Sequence, residues 1–430
     1  PTGPTGADGA VGPTGPTGPI GVDGTPGPTG PTGPAGTVTP ADAVADAADT
    51  PDLVTQFNQL LVTENIAMKI VVYAICKNEI KFVDRWMDSM GEADEIVVLD
   101  TGSTDGTAAR LRARGARVSE AIIAPWRFDA ARNRSLALVP EDADICVCTD
   151  LDEVFHPAWR AALEQAWTPE AQQARYRYTW SFQPDGREGV VFWYEKIHSR
   201  RGWQWIHPVH EILARTDGQS AVRQITIPGI QLDHHPDSSK SRSQYLPLLE
   251  LSVQETPEDD RSMHYLGREY FFYGRWDDCI ATLQRHLSMP AARWADERAA
   301  SMRYIARALE QKGEAAAARD WLLRAIAEAP HLREPYTDLA LLLYRQKDWP
   351  GVLYFTACAL AIRERPQSYI CEAAPWGSLP HDLRAVAWYQ LGRLQEALAE
   401  ARAAAALSPA DPRLQNNLQL IAAAQAEHRP

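Results

Sequence analysis

The chain has 430 residues, 45% of them hydrophobic, which gives room for two or three domains with well-formed cores. Net charge is −13, residues 1–67 supply seven acids and no Lys or Arg, and no basic stripe stands out, so nucleic acid is not an expected partner. No apolar run reaches the ~18 residues of a membrane span, and the six cysteines, none in a Cys-Xaa-Xaa-Cys pair, read as buried thiols of a reducing, cytoplasmic compartment.

Glycine occupies every third position from Gly3 to Gly36. That is the collagen period, which arises because only glycine fits the axis of a triple helix. Residues 1–36 therefore read as a collagen-like tail, either trimeric or a polyproline-like strand. Residues 37–67 read as a linker with a short helix from Asp52 to about Asn65, where Pro51 and Asp52 fit a helix start.

Residues 68–240 alternate in period. Lys69 to Ile75 is predicted as a buried strand, 80–90 as a helix, Glu95 to Leu99 as a strand and 105–114 as a helix. A short strand near Val118, a helix from Asp129 to Val139 and a strand from Asp144 to Cys148 follow, and Pro157 opens the next helix. This alternation predicts a doubly wound α/β sheet with ligands at the carboxyl ends of its strands. Further strands are predicted at 175–180, 190–194 and 223–227, around the dense segment Trp203 to Glu211. Residues 241–430 read as all helix. Tyr265-Leu-Gly267, Tyr270, Gly274 and Pro290 match a tetratricopeptide phrase, with weaker copies at Gly313/Pro330, Tyr336/Pro366 and Gly392/Pro409, and Leu414 to Ala424 reads as a capping helix.

The chemistry concentrates in three stretches after Ile75-Cys-Lys-Asn-Glu79: Asp100-Thr-Gly-Ser-Thr-Asp-Gly-Thr107, Ala131-Arg-Asn133 and Asp150-Leu-Asp-Glu153. Two carboxylate clusters at strand ends, with an arginine between them, suit a metal-bound nucleotide diphosphate. These residues resemble the family 2 glycosyltransferases with a GT-A fold, and within them a bacterial branch that carries tetratricopeptide-like helices. The resemblance covers roughly 68–430 and is strongest from 68 to 160. It implies a Rossmann-like catalytic domain and transfer of a sugar from a nucleotide-sugar donor, UDP by family tendency. It also implies a divalent cation (Mn²⁺ or Mg²⁺) and inversion at the anomeric carbon.

Carried onto this sequence, the resemblance puts Asp152 on the metal, Asp150 near the ribose or the metal, and Asp100 at the base or ribose. Ala74, Cys76, Asn78 and Glu79, at and after the first strand, join Asp100, Arg132 and Asp150 as nucleotide-sugar contacts. Three acids in one tetrapeptide leave the ligand assignment open; Glu153 suits a cap for the helix at Pro157, and Asp105 suits a helix cap. Arg132 would offer a forked donor to phosphate. Inverting transfer needs a general base beyond the metal motif; Glu211 is the first choice, with Glu195 and Asp233 behind it. His210 and His234 are candidates for a further metal ligand. Trp180, Trp193, Trp203 and Trp205 either pack the core or stack on sugar or base.

The expected acceptor is a hydroxyl on a protein or glycan, with the threonines of Gly-Pro-Thr tracts as a candidate, because such tracts resemble O-glycosylated collagen-like proteins. An oligomer through the collagen tract or the helical repeats is a further expectation. One rival is a catalytically inactive scaffold acting through its repeats and collagen tract. Another is a nucleotidyltransferase, which would show a Gly-rich basic loop where Cys76-Lys-Asn-Glu79 stands.

Overall fold

The computed structural model describes residues 68–218, 221–237 and 243–427. The collagen-like tail and the linker lie outside these residues.

An eight-stranded sheet forms the first half, in the order β3-β2-β1-β4-β7-β6-β10-β5. The strands are β1 (Ile70–Cys76), β2 (Glu95–Asp100), β3 (Arg117–Glu120), β4 (Ile145–Cys148), β5 (Glu153–Phe155), β6 (Gln173–Thr179), β7 (Val191–Ser199) and β10 (Gln224–His234); β8 (Trp203–Ile206) and β9 (Ile212–Arg215) form a separate hairpin. β1 pairs in parallel with β2 and β4, and β2 with β3. That parallel half is apolar along β1, β2 and β4, as strands buried on both faces must be, with β3 as its polar, half-exposed edge. Helix α1 (Val83–Met90) covers it, burying Val83, Trp86, Met87 and Met90, one stripe at helical spacing. Helices α2 (Thr107–Ala113), α3 (Phe128–Leu136) and α4 (Trp159–Ala166) complete the layer set.

The second half of the sheet is mixed rather than doubly wound throughout. β7 runs antiparallel to both β4 and β6, and β10 is parallel to β6 but antiparallel to β5. β7 and β10 run well past their predicted ends. β10 passes through Pro228-Gly229, where its register against β6 shifts between Ile227 and Gln231. Pro157 does not open α4: the N-cap is Ala158, and Glu92 accepts from the Ala158 and Arg160 amides at 2.7 and 3.1 Å.

From Tyr245 the described chain is helical: α5 (Tyr245–Glu255), α6 (Asp260–Phe272), α7 (Trp276–Ser288), α8 (Ala295–Gln311), α9 (Ala315–Glu328), α10 (Arg333–Arg345), α11 (Trp349–Ala361), α12 (Ala373–Trp376), α13 (Leu379–Gln390), α14 (Leu394–Leu407) and α15 (Pro412–Glu427). Helices α6/α7, α8/α9, α10/α11 and α13/α14 pair as antiparallel hairpins. Their turns hold Gly274, Gly313, Lys347 and Gly392, all at positive φ, so Lys347 takes a left-handed conformation that glycine takes in the other three. Gly267 is fixed by packing instead. A Cβ there would meet Leu283 at 2.4 Å, so α6 and α7 approach closely only without a side chain. Gly267→Ala would cost about 1–3 kcal/mol in overpacking.

The segment His207 to Glu211 joins the two halves. Val209 is buried against Leu246 and Leu249, and His210 stacks on Tyr265 at 4.1 Å while Arg261 donates to its carbonyl.

Candidate active site

A cleft of about 1370 Å³ opens at the carboxyl ends of β1 and β4 and continues along the helical half. Its sheet-side wall includes Cys76, Asn78, Glu79, Trp126, Asp150, Asp152, Glu153, Tyr178, Trp180, Lys196 and His234. Its far wall includes His264, Arg268, Arg303, Arg307, Tyr369 and Glu372.

The β1 and β2 ends are tied together by their turns. Asn78 Oδ1 accepts from the Thr104 amide at 2.7 Å, and the Asn78 amide donates to Ser103 Oγ at 2.8 Å. Asp100 Oδ1 accepts from the Gly102 and Ser103 amides at 2.8 and 2.7 Å, and Cys76 Sγ donates to its other oxygen at 3.4 Å. Asp100 is 2% exposed and faces its own turn, which is the conformational role that Asp favours before Thr-Gly-Ser. Asp105 accepts from the Ile80 and Thr107 amides and closes the start of α2. Ala74 lies in the core with no exposure, and its carbonyl accepts from Ser135 Oγ.

Arg132, on α3, is 4% exposed. Its Nη2 donates to both Asp150 oxygens at 2.9 and 3.1 Å, and its Nε donates to Glu211. Lys196 Nζ donates to Asp150 Oδ2 at 2.9 Å and to Glu153 Oε1 at 3.3 Å. Against the cost of burial, Arg132 and Lys196 hold the Asp150 carboxyl well below the carboxylate range. Burial, and then Asp150 beside it, pushes the Glu153 carboxyl up. Glu153 also accepts from the Asp150 amide at 2.8 Å and from Tyr178 Oη at 2.9 Å, on β5. It is therefore not the cap of α4. Asn133, beside Arg132, behaves as a piece of strand: it exchanges bonds of 2.8 Å with both the amide and the carbonyl of Trp205.

Asp152 meets His234, whose Nε2 stands 3.4 Å from Asp152 Oδ2. His234 Nδ1 lies 2.9 Å from the Trp180 carbonyl, an acceptor that requires N–H there, and the ring stacks on Trp180 at 4.2 Å. In the neutral ring the Nε2 lone pair faces a carboxylate; against burial, the hydrogen bond to Asp152 raises the ring's pKa, so without a cation a proton holds the pair together. Two acceptors facing each other fit a hard cation between them, with the carbonyl fixing the imidazole as metal-bound histidines require.

The cleft wall thus gathers Cys76, Asn78, Glu79, Asp150, Asp152 and His234, whereas Ala74, Asp100, Arg132 and Glu211 stand behind it. Glu211, the expected general base, has its carboxylate engaged by a buried guanidinium and does not line the cleft. The runners-up are also off the wall. Asp233 pairs with His156 at 2.9 Å, and Glu195, pushed up to about 7 by burial, packs away from the cleft. His210 belongs to the junction with the helices rather than to the Asp152 site. Of the four tryptophans, Trp180 lines the cleft, and Trp203 and Trp205 are buried in packing. Lys196 went unforeseen. Two residues of β7, Glu195 and Lys196, oppose Arg175 alone on β6, and this bulge re-aims the lysine at Asp150.

Residues 71–216 match the family described as Glycosyl transferase family 2. The comparison with curated proteins gives no match. Among solved structures, the chain is similar to the crystal structure of MamA at 18% identity, over 37% of this chain and 84% of that one, with a TM-score of 0.31. It is also similar to TTC0263, a thermophilic TPR protein of Thermus thermophilus, at 18% identity over 42% and 90%, TM-score 0.33. The first TPR domain of human RPAP3 matches at 18% identity over 31% and 95%, TM-score 0.27. No helix among the described residues is long and apolar enough to cross a membrane.

Proposed function

We propose that this chain is a cation-dependent, inverting glycosyltransferase. It moves a sugar from a nucleotide-sugar, with UDP as the expected carrier, to a hydroxyl on a protein or glycan. The family match over 71–216 supports sugar transfer. The observation that carries the finer reading is the convergence of Asp152 and His234 Nε2 at 3.4 Å on the cleft wall, with the other imidazole nitrogen committed to Trp180. A divalent cation held there would neutralise a departing diphosphate.

The remaining roles follow from the chain's own groups. Asn78 and Glu79 border the part of the cleft where a base and ribose would lie. Asp150 is held rigid by Arg132 and Lys196, which suits a carboxylate that orients a ribose or shares the cation. Glu211 is a positioning residue, acting on Asp150 through Arg132. The cleft continues beyond the donor end towards Tyr369 and Arg307, which leaves a place for an acceptor against the helices. Threonines of Gly-Pro-Thr tracts, including those of residues 1–36, are the acceptors to try first.

The test is incubation of the full chain with a panel of UDP- and GDP-sugars and Mn²⁺, followed by intact mass and nucleotide analysis. A ladder of sugar additions, or free nucleoside diphosphate, abolished in Asp152→Ala, supports the reading. Neither product with any donor would overturn it.

A further inference from the structure

Outside the cleft, α6, α7 and α8 bring a second set of metal-ligating groups together. Asp260 stands in the first turn of α6, His286 in the last turn of α7 and Glu297 in the first turn of α8, and one ligand atom from each lies within 4.8 Å of the others. His286 is fully buried and Glu297 is 4% exposed. Helix dipoles account for acids at the two helix starts and an imidazole at a helix end. They do not account for the nitrogens. His286 Nε2 is buried with no hydrogen-bond partner, 3.4 Å from Glu297 Oε1.

The tautomers can be followed from one hydroxyl. Ser301 Oγ lies 3.0 Å from His286 Nδ1 and 2.7 Å from His264 Nδ1. It has a single proton, so between two neutral rings it accepts from one Nδ1 and donates to the other. If His286 Nδ1 is the donor, its Nε2 carries a lone pair directed into the cluster, and His264 carries its proton on Nε2, which is likewise buried without a partner. Glu297 is fixed in turn by Tyr369, whose hydroxyl donates to Oε2.

We infer that Asp260, His286 and Glu297 form a divalent-cation site distinct from that at Asp152, with a preference for Zn²⁺. One imidazole and two carboxylates are a borderline donor set, and three protein ligands leave a position for water. Donors at about 2.0–2.2 Å from an ion in a tetrahedral shell lie roughly 3.3–3.6 Å apart, so pairs near the 4.8 Å limit close by about 1 Å on binding. The ion joins two helix starts to one helix end immediately behind His264 and Tyr369, both on the cleft wall. Its role is to rigidify the helical side of the cleft. The other occupant of the same space is a proton, making His286 an imidazolium between the two acids.

The experiment uses the full chain in the Asp152→Ala background, which removes the other cation site. Equilibrium dialysis against Zn²⁺ with elemental analysis should find one tightly bound equivalent, and the melting temperature should rise with Zn²⁺ and fall with a chelator. Ser301→Ala keeps all three ligands but releases the imidazole, and should weaken Zn²⁺ binding about 10–100-fold. Glu297→Gln should abolish it. Absence of a bound equivalent in folded Asp152→Ala protein, with no response of the melting temperature to Zn²⁺, would overturn the inference and leave the proton as occupant. These readouts need no sugar transfer, so their failure is separable from failure of the proposed activity.

Discussion

Two buried charge clusters, one in each half of the molecule, look alike until their charges are compared. In the helical half Arg303 and Arg307 both pair with Asp338 and Glu372, at 2.8–3.3 Å. Cations and acids balance there, and neighbouring Glu334 is pushed towards its neutral form by burial. In the sheet half Arg132 and Lys196 face Asp150, Glu211 and Glu153, with Asp152 and His234 alongside. Even with Glu153 pushed up by burial, the acids outnumber the cations as long as His234 is neutral; Asp152 raises its pKa, and a charged His234 closes the count. A balanced network is a structural device, because every charge finds its partner within the protein. The extra carboxylate at the ends of the buried strands, Asp152, meets only a histidine, and either a proton on His234 or the proposed cation between the two completes it.

Removing the surplus should produce the largest effect. Asp152→Ala takes one acceptor from the proposed cation position without disturbing the Arg132 and Lys196 pairs. Transfer should fall roughly 10³-fold, the scale of several kcal/mol of lost charge stabilisation. The melting temperature should hardly move. Turnover within tenfold of wild type would place the cation elsewhere.

Breaking one pair in each cluster sharpens the contrast. Lys196→Met leaves buried Glu153 without its cation and Arg132 alone with Asp150, and Arg303→Met leaves Arg307 alone with Asp338 and Glu372; each should cost up to about 3 kcal/mol in urea unfolding. Calorimetry with the donor nucleotide separates them: affinity should drop in Lys196→Met and hold in Arg303→Met. Equal donor affinities in the two variants would show that charge balance does not distinguish function from structure here.

Glu211→Gln asks whether Glu211 acts through Arg132 or on the acceptor. Losing one charged hydrogen bond of about 1.5–3 kcal/mol should weaken donor binding roughly 10–100-fold, with turnover falling in parallel. Turnover slowed by roughly 10²–10⁴-fold at unchanged donor affinity would restore Glu211 as the base.

These contrasts were only partly legible in the sequence. The parallel half of the sheet was, because its apolar runs and polar turns follow one period, and the motif acids sit at those strand ends. The helical hairpins were too, through Gly267, Gly274, Gly313 and Gly392. Lys196 was not, because the strand containing it was predicted to end at 194, and the bulge that aims the lysine depends on pairing with β6. Glu153 was misread as a cap because a three-residue strand leaves no periodic trace. Asn133 and Trp205 meet across 72 residues, a contact that no local pattern encodes.

The same limitation hid a residue that can be tested by pH alone. His198 is buried on β7, with Nε2 2.8 Å from Tyr73 Oη and Nδ1 2.8 Å from the Ser199 carbonyl. Trp205 Nε1 donates to the Tyr73 hydroxyl at 2.9 Å, so that hydroxyl is free to donate to His198, and both ring nitrogens are satisfied with the imidazole neutral. Burial lowers its pKa to about 4. In the unfolded chain it titrates near 6.5. Between those values the unfolded state binds a proton that the native state refuses. The His198 contribution is therefore fully present above about pH 6.5 and is lost as pH falls towards 4, at up to about 1.4 kcal/mol per unit. Measured against His198→Asn between pH 6 and 5, wild-type stability should fall more steeply by about that amount. Parallel curves would mean that the Trp205–Tyr73–His198 chain admits a charged ring.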